Sequence, residues 1–327
     1  MHGPDQVKSS RKVNASARVA ILCGILFLSG IGALIFETLW LRLSGLAFGN
    51  SVWEAALILS SFMAGLALGN ALAASLRIRR WRPLYFYAVL EGLVAVFGCT
   101  IVFGLPVLGD WMRPVWQTLW NHQPALLALR FVVSFLILLV PTTAMGFTLP
   151  VIIEDPALRQ TNFGRVIGFL YGSNTLGAVV GALLGEAYLI GAFGLRGTGL
   201  LAGLASCIAA AIALVLARSS GDMSPHSEFP LCLGARYRAP WRLLLVSFGT
   251  GCILLCLEVV WFRFLRLYVA SSPTTFAIML AVVLAGIGFG GIVAGAIHRG
   301  AARLNELLPV LLLLAAIAAL LSYLFFP

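Results

Sequence analysis

Long apolar stretches separated by short polar turns run through almost the whole chain. Nine of them, at roughly 18–45, 52–76, 84–108, 125–149, 164–190, 195–217, 241–268, 273–297 and 304–326, are long enough to cross a hydrocarbon core of about 30 Å, which takes about 20 helical residues. None alternates with a period of two, and an open sheet would leave backbone groups unsatisfied in lipid. The pattern therefore predicts an all-α polytopic membrane protein. The longest polar stretch, Ser219 to Pro240, carries Gly221, Pro225, Pro230 and Gly234 and reads as a cytoplasmic linker. It divides a six-helix bundle (18–218) from a three-helix unit (241–327), and a polar tail (1–17) precedes both.

The two units share a register. Gly30-x6-Glu37-x2-Trp40-x-Arg42 recurs without a gap, 221 positions later, as Gly251-x6-Glu258-x2-Trp261-x-Arg263. The correspondence continues into the next apolar stretch, where Gly65 and Gly69 answer Gly286 and Gly290. An even number of helices lies between the copies, so both are expected to run the same way through the membrane. That is the relation between the halves of major-facilitator-type carriers, here in a six-plus-three arrangement.

Composition agrees with this picture and removes other classes. Hydrophobic residues make up 61% of the chain and charged residues 10%, with a mean hydropathy of +1.00; a soluble domain has about a quarter charged residues. The net charge of +10 does not point to nucleic acid, because sixteen of the 22 Lys and Arg residues fall on alternate connections. By the positive-inside rule that side is cytoplasmic, which places the chain in the cell's inner (plasma) membrane with its N-terminus inside and its C-terminus outside. Anionic lipid headgroups are the natural partners of such a face. Six cysteines show neither CxxC nor Cys/His spacing, and Cys252 and Cys256 read as packing residues. No nucleotide loop, Ser/His/Asp set or zinc spacing occurs. The expectation is a chain that is not an enzyme and holds no metal or cofactor.

Ionisable groups inside apolar helices are expensive and so mark candidate sites. Four carboxylates qualify: Glu37, Glu91, Glu186 and Glu258, of which Glu186 is expected to be partly solvated near the outer end of its helix. Glu37 and Arg42 are five apart, off one helix face, so each implies a partner on another helix. Glu37 and Glu258 fit two readings, a proton or cation site and a structural lock between helices. Pro141 and Pro150, with Thr142, Thr143 and Thr148 between them, predict either a broken, site-lining helix or a kink healed by threonine hydroxyls. Asn174 calls for a hydrogen bond across helices or to a solute. Trp116 and Trp120, four apart, predict an interfacial anchor. Small residues four apart at Gly65/Gly69, Gly177/Gly181/Gly185, Gly286/Gly290 and Gly291/Gly295 predict close helix contacts.

The stretch from Ser29 to Leu43, the run Phe62-Met63-Ala64-Gly65-Leu66-Ala67-Leu68-Gly69, the segment Pro141 to Pro150, and Tyr171-x2-Asn174-Thr175-Leu176-Gly177-Ala178 followed by Gly194-Leu195-Arg196-Gly197 resemble the membrane part of the fused major-facilitator/spermidine-synthase family. The resemblance covers about residues 20–300. It implies an integral membrane bundle of a kind often joined to a soluble aminopropyltransferase-like domain. No such domain is seen in this sequence, so synthase activity is not expected of it.

Two functions follow as expectations. One is a carrier that binds or moves a small solute, cationic ones included, between helices one, three, four, five and seven. In that reading Glu37, Glu91 and Glu258 hold charge, Asn174 and Thr142 give polar contacts, and Arg42, Arg263, Trp40 and Trp261 gate or pair at the outer end. The other is a non-catalytic subunit of a larger respiratory or photosynthetic membrane assembly, joined to other subunits or to a second copy through its glycine faces.

Overall fold

The computed structural model describes residues 4–48, 52–75, 82–155, 158, 163–219, 241–265, 267–268, 272–297 and 301–324. The linker expected at 219–240 falls almost wholly outside them. Among the described residues the regular structure is entirely helical: α1 Pro4–Phe48, α2 Val52–Ser75, α3 Pro83–Thr118, α4 Gln123–Ile153, α5 Phe163–Leu184, a π-helical turn Gly185–Leu189, α6 Ile190–Ser219, α7 Trp241–Leu265, α8 Ser272–Ile297 and α9 Ala301–Leu324. Pro83 and Pro124 stand in the first turns of α3 and α4, where a missing N–H does no harm. The polar lead-in belongs to α1 from Pro4 onward.

Among the described residues seven helices are long and apolar enough to cross a membrane, where the sequence pattern predicts nine. Two features account for the difference. The 56-residue stretch Gly164–Ser219 counts once although it holds two of the predicted spans, joined through the π-helical turn with no loop between them. Within α9 the apolar part, Pro309–Leu321, is shorter than a span.

Close approaches at glycines fix the helix directions. α1 runs parallel to α5, because Phe27, Ile31 and Ile35 lie against Gly177, Gly181 and Gly185 in turn. It also runs parallel to α3, with Ser29 on Glu91, Trp40 on Gly98 and Ala47 against Gly109. α6 is antiparallel to α3, since Gly199 meets Val102 while Gly203 meets Cys99. The 56-residue run thus goes out as α5 and comes back as α6. It reverses at Gly194 (φ 66°, ψ 179°), a conformation essentially closed to residues with a Cβ.

α2 and α4 are parallel, with Gly65 on Thr142 and Gly69 on Gly146. α4 opposes α3, as Phe86–Phe147 and Trp116–Arg130 contacts show. α8 opposes α5, with Gly168 against Gly295, Gly172 against Ile292 and Leu176 against Gly288. Hence α1, α3 and α5 point one way and α2, α4, α6 and α8 the other. The second helices of the two repeats, α2 and α8, share a direction.

The core is built around α1, whose Leu22, Ile25, Leu26, Phe36, Leu39 and Trp40 are fully buried or nearly so. A smaller cluster, Phe262, Phe276, Met279 and Leu280, joins α7 and α8 to Leu34 and Leu41 of α1. Of the two readings of the Pro141–Pro150 run, the broken helix is not found: α4 is continuous through both prolines, and the Thr142 and Thr148 hydroxyls donate to the Leu138 (2.6 Å) and Met145 (2.7 Å) carbonyls rather than to those of Ile137 and Gly146, which the prolines leave without an N–H. One expectation is corrected here. Trp116 and Trp120 do not form a paired anchor: α3 carries Trp116 into the protein beneath Arg130, while Trp120 lies beyond the helix and is exposed.

Candidate functional site

The repeat places a glutamate on α1 and another on α7. Glu37 and Glu258 are both buried, 6% and 5% exposed, and lie within electrostatic range of each other. Oε1 of each is out of contact with water and has no hydrogen-bond partner among the described residues. No basic side chain among them pairs with either carboxylate. Beside Glu37 a small pocket is lined by Trp40 and Leu41 of α1, Ile58, Leu59 and Phe62 of α2, Leu138 of α4 and Phe276 of α8. Its free space of about 10 Å³ is at the lower limit for one water molecule. Among the described residues its lining is apolar and aromatic except for the Glu37 carboxylate, and Glu258 is not part of it. α2 and α8 line this pocket, and α3, α5 and α7 do not.

Glu91 belongs to a separate place. It is 1% exposed at the junction of α1, α3 and α6. Ser29 donates to its Oε1 at 2.5 Å, and the Tyr87 and Ser206 hydroxyls face the same carboxyl. Ser29 and Glu37 are eight residues apart on α1, about 12 Å along the axis, so Glu91 does not share the pocket. The i,i+4 spacing of Tyr87 and Glu91 is a signal that the sequence reading passes over.

The remaining candidates divide between packing and pairing. Thr142 is fully buried, its hydroxyl held by its own helix and its side chain against Gly65. Asn174 is half-buried, and its carbonyl oxygen lies against Gly30. Trp40 is 1% exposed, stacks on Phe36 at 5.5 Å, meets Phe62 at 6.2 Å and donates to the Gly98 carbonyl at 3.4 Å. Trp261 is half-buried and Arg263 is exposed. Cys252 and Cys256 face outward.

Arg42 has the cross-helix partner its spacing calls for. It pairs with Glu186 at 2.7 Å, and Thr274 of α8 donates to the same carboxylate oxygen at 3.2 Å. Glu186 is not solvated as expected: its side chain is 8% exposed, because the π-helical turn aims it inward. A second ion pair, missed from sequence, joins Arg18 at the start of the α1 span to Asp155 after α4 through two contacts of 3.1 and 2.7 Å, with Asp155 1% exposed. Its only sequence mark is the acidic pair Glu154-Asp155 before Pro156. The two pairs clasp α1 at opposite ends.

A chain with this bundle has relatives among known proteins. It is similar to Polyamine aminopropyltransferase 1 of Streptomyces coelicolor. The identity is 26% over 200 residues, covering 61% of this chain and 34% of the relative. Polyamine aminopropyltransferase 2 of the same organism is also 26% identical, over 218 residues, 66% of this chain and 37% of the relative. The chain thus spans about a third of the length of these curated relatives. No protein-family model matches it, and no solved structure does. The expectation that the chain is not an enzyme is corrected by these relatives, which bear the name of an enzyme. That expectation rested on soluble catalytic motifs, which say nothing about a membrane part that accompanies catalysis.

Proposed function

We propose that this membrane bundle binds a small cationic amine of the polyamine class between Glu37 and Glu258 and serves aminopropyl-transfer chemistry by holding, moving or presenting that amine. The observation that carries the proposal is that equivalent positions of an internal repeat supply two buried carboxylates within electrostatic range of each other, each with an Oε1 that has no hydrogen-bond partner among the described residues. Two like charges in an apolar interior repel and are poorly solvated, so a cation placed between them answers both costs. A protonated amine is such a cation, and Trp40, Phe62 and Phe276 supply aromatic faces that favour it. The relatives' name, polyamine aminopropyltransferase, supports the same substrate class.

The pocket beside Glu37 has room for no more than about one water, so loading an amine requires α2 or α8 to draw back. The alternating basic connections support an inner-membrane placement with a cytoplasmic N-terminus, nine crossings and an outer C-terminus. The reversal at Gly194 supports counting α5 and α6 as two crossings.

The test is uptake and binding of radiolabelled 1,4-diaminobutane and spermidine by the purified chain in proteoliposomes. Wild type accumulates or retains label. Glu37→Gln and Glu258→Gln each lose about 10- to 150-fold, as expected when one charged partner worth about 1.5–3 kcal/mol is removed. Unchanged label in both variants, with unaltered elution from size exclusion, would overturn the proposal.

A further inference from the structure

Three hydroxyls from three helices face the Glu91 carboxyl in the interior of the bundle. Ser29 comes from α1, Tyr87 from the preceding turn of α3 and Ser206 from α6. Ser29 is 7% exposed and Glu91 1%, while Tyr87 and Ser206 are fully buried. Ser29 Oγ donates to Glu91 Oε1. The other carboxylate oxygen, Oε2, the Tyr87 hydroxyl and Ser206 Oγ have no hydrogen-bond partner among the described residues. No basic side chain among them pairs with Glu91. Each orphaned polar atom costs about 1–3 kcal/mol, and an uncompensated charge at bilayer depth adds to that. The surroundings are tightly packed. A Cβ at Gly32 would lie 3.0 Å from the Ala202 carbonyl oxygen and 3.1 Å from Ser206 Oγ, and Leu26 and Ala202 are fully buried, with Val94 1% exposed.

We propose that Glu91, Ser29, Tyr87 and Ser206 form a site for a small monovalent cation of the sodium class. Glu91 Oε2 and the Tyr87 and Ser206 hydroxyl oxygens supply lone pairs to it, and Ser29 fixes the carboxylate through Oε1. A donor set made only of oxygen suits a hard cation. Charge selects the valence: one carboxylate cancels one positive charge, whereas a divalent ion would leave a net charge in an apolar interior. No three His, Cys, Asp or Glu side chains gather among the described residues, so a transition metal has no ligand set there. A water molecule meets the hydroxyls but not the charge, and an alkylamine is too long for groups sealed this closely. The site is distinct from the amine site. Glu91 lies about 12 Å along α1 from Glu37, and none of the four residues lines the Glu37 pocket.

The experiment is equilibrium binding of radiolabelled Na⁺ to the full chain in lipid nanodiscs, with N-methylglucamine holding the ionic strength constant. Saturable binding is expected. Glu91→Gln, similar in shape but uncharged, abolishes it. Tyr87→Phe and Ser206→Ala each remove one oxygen and weaken it about tenfold. Thermal unfolding adds a readout that a packing role would not move: Na⁺ raises the unfolding temperature of the wild type and leaves that of Glu91→Gln unchanged. Glu91→Gln should still retain labelled 1,4-diaminobutane, and absence of that label from every form counts against the amine site alone. Three outcomes overturn the proposal. The first is a folded wild type with no saturable Na⁺ binding. The second is unchanged Na⁺ affinity in Tyr87→Phe and Ser206→Ala, which keep the carboxylate and the packing. The third is an infrared C=O stretch of a protonated carboxylic acid that Glu91→Gln removes and Na⁺ does not alter, which assigns the cluster to a proton.

Discussion

At the scale of single residues, the same amino acid has opposite roles in the two repeats. A Cβ at Gly65 would run into Thr142 Oγ1, whereas one at Gly286 meets open space. Gly65→Ala is expected to destabilise by about 1–3 kcal/mol through overpacking, and Gly286→Ala to be neutral or to stabilise by up to about 1 kcal/mol through helix propensity. Thermal unfolding of the two variants in the same detergent checks the contrast, and equal losses would remove its basis. The arginines divide in the same way. Arg42→Gln leaves Glu186 almost buried beside a single hydroxyl donor. A loss of about 2 kcal/mol is expected, below the 3–5 kcal/mol of a fully buried pair because Arg42 is itself 26% exposed. Arg263→Gln should stay within about 0.5 kcal/mol, as for other exposed positions. The double variant Arg42→Gln/Glu186→Gln should recover part of the first loss, which a simple packing defect would not do.

Among the elements, the α5–α6 run shows where sequence reasoning succeeds and where it stops. Apolar length gives two spans there and glycine spacing gives the α1–α5 contact, because both depend on side chains that lipid and close packing select. The π-helical turn leaves no such trace. Gly185-Glu186-Ala187-Tyr188-Leu189 contains nothing that a regular helix would refuse, so the inward aim of Glu186 comes from a backbone register that tertiary contacts decide. The meeting of Glu37 and Glu258 is legible through the repeat, since equivalent positions in like-oriented copies come to equivalent depths. Glu91 and Asp155 are less legible, because their partners Ser29, Ser206 and Arg18 are ordinary residues on distant helices. Gly194 is readable only as a glycine in an apolar stretch, yet the reversal depends on it. No side chain crowds that position, so Gly194→Ala should cost about 1–3 kcal/mol from backbone strain alone. Differential scanning fluorimetry measures that loss, and a variant as stable as wild type would show that another residue can take the corner.

For the whole molecule, α1 is the hub: it contacts α3, α5 and α6 along its length and is clasped near its two ends by Asp155 and Glu186. Opposed directions for α5 and α6 put their far ends, near 163 and 219, on one side of the membrane and the Gly194 corner on the other. In a chain cleared of native cysteines, Cys at position 191 should react with an impermeant maleimide from the face opposite to that reached by Cys at position 218. Labelling of both from one face would contradict the reversal. The narrow pocket beside Glu37 and the outer face of α7 and α8 mark two different surfaces of one bundle.

The corner at Gly194 also decides how the molecule can be cut. Residues on both sides of it are helical and Arg196 lies against the Phe103 ring, so trypsin, which needs an extended strand in its cleft, finds no suitable bond between α5 and α6. Digestion of membrane vesicles from either side should therefore leave these two helices on a single fragment, while Gly194→Ala, by disturbing the reversal, should release them as two.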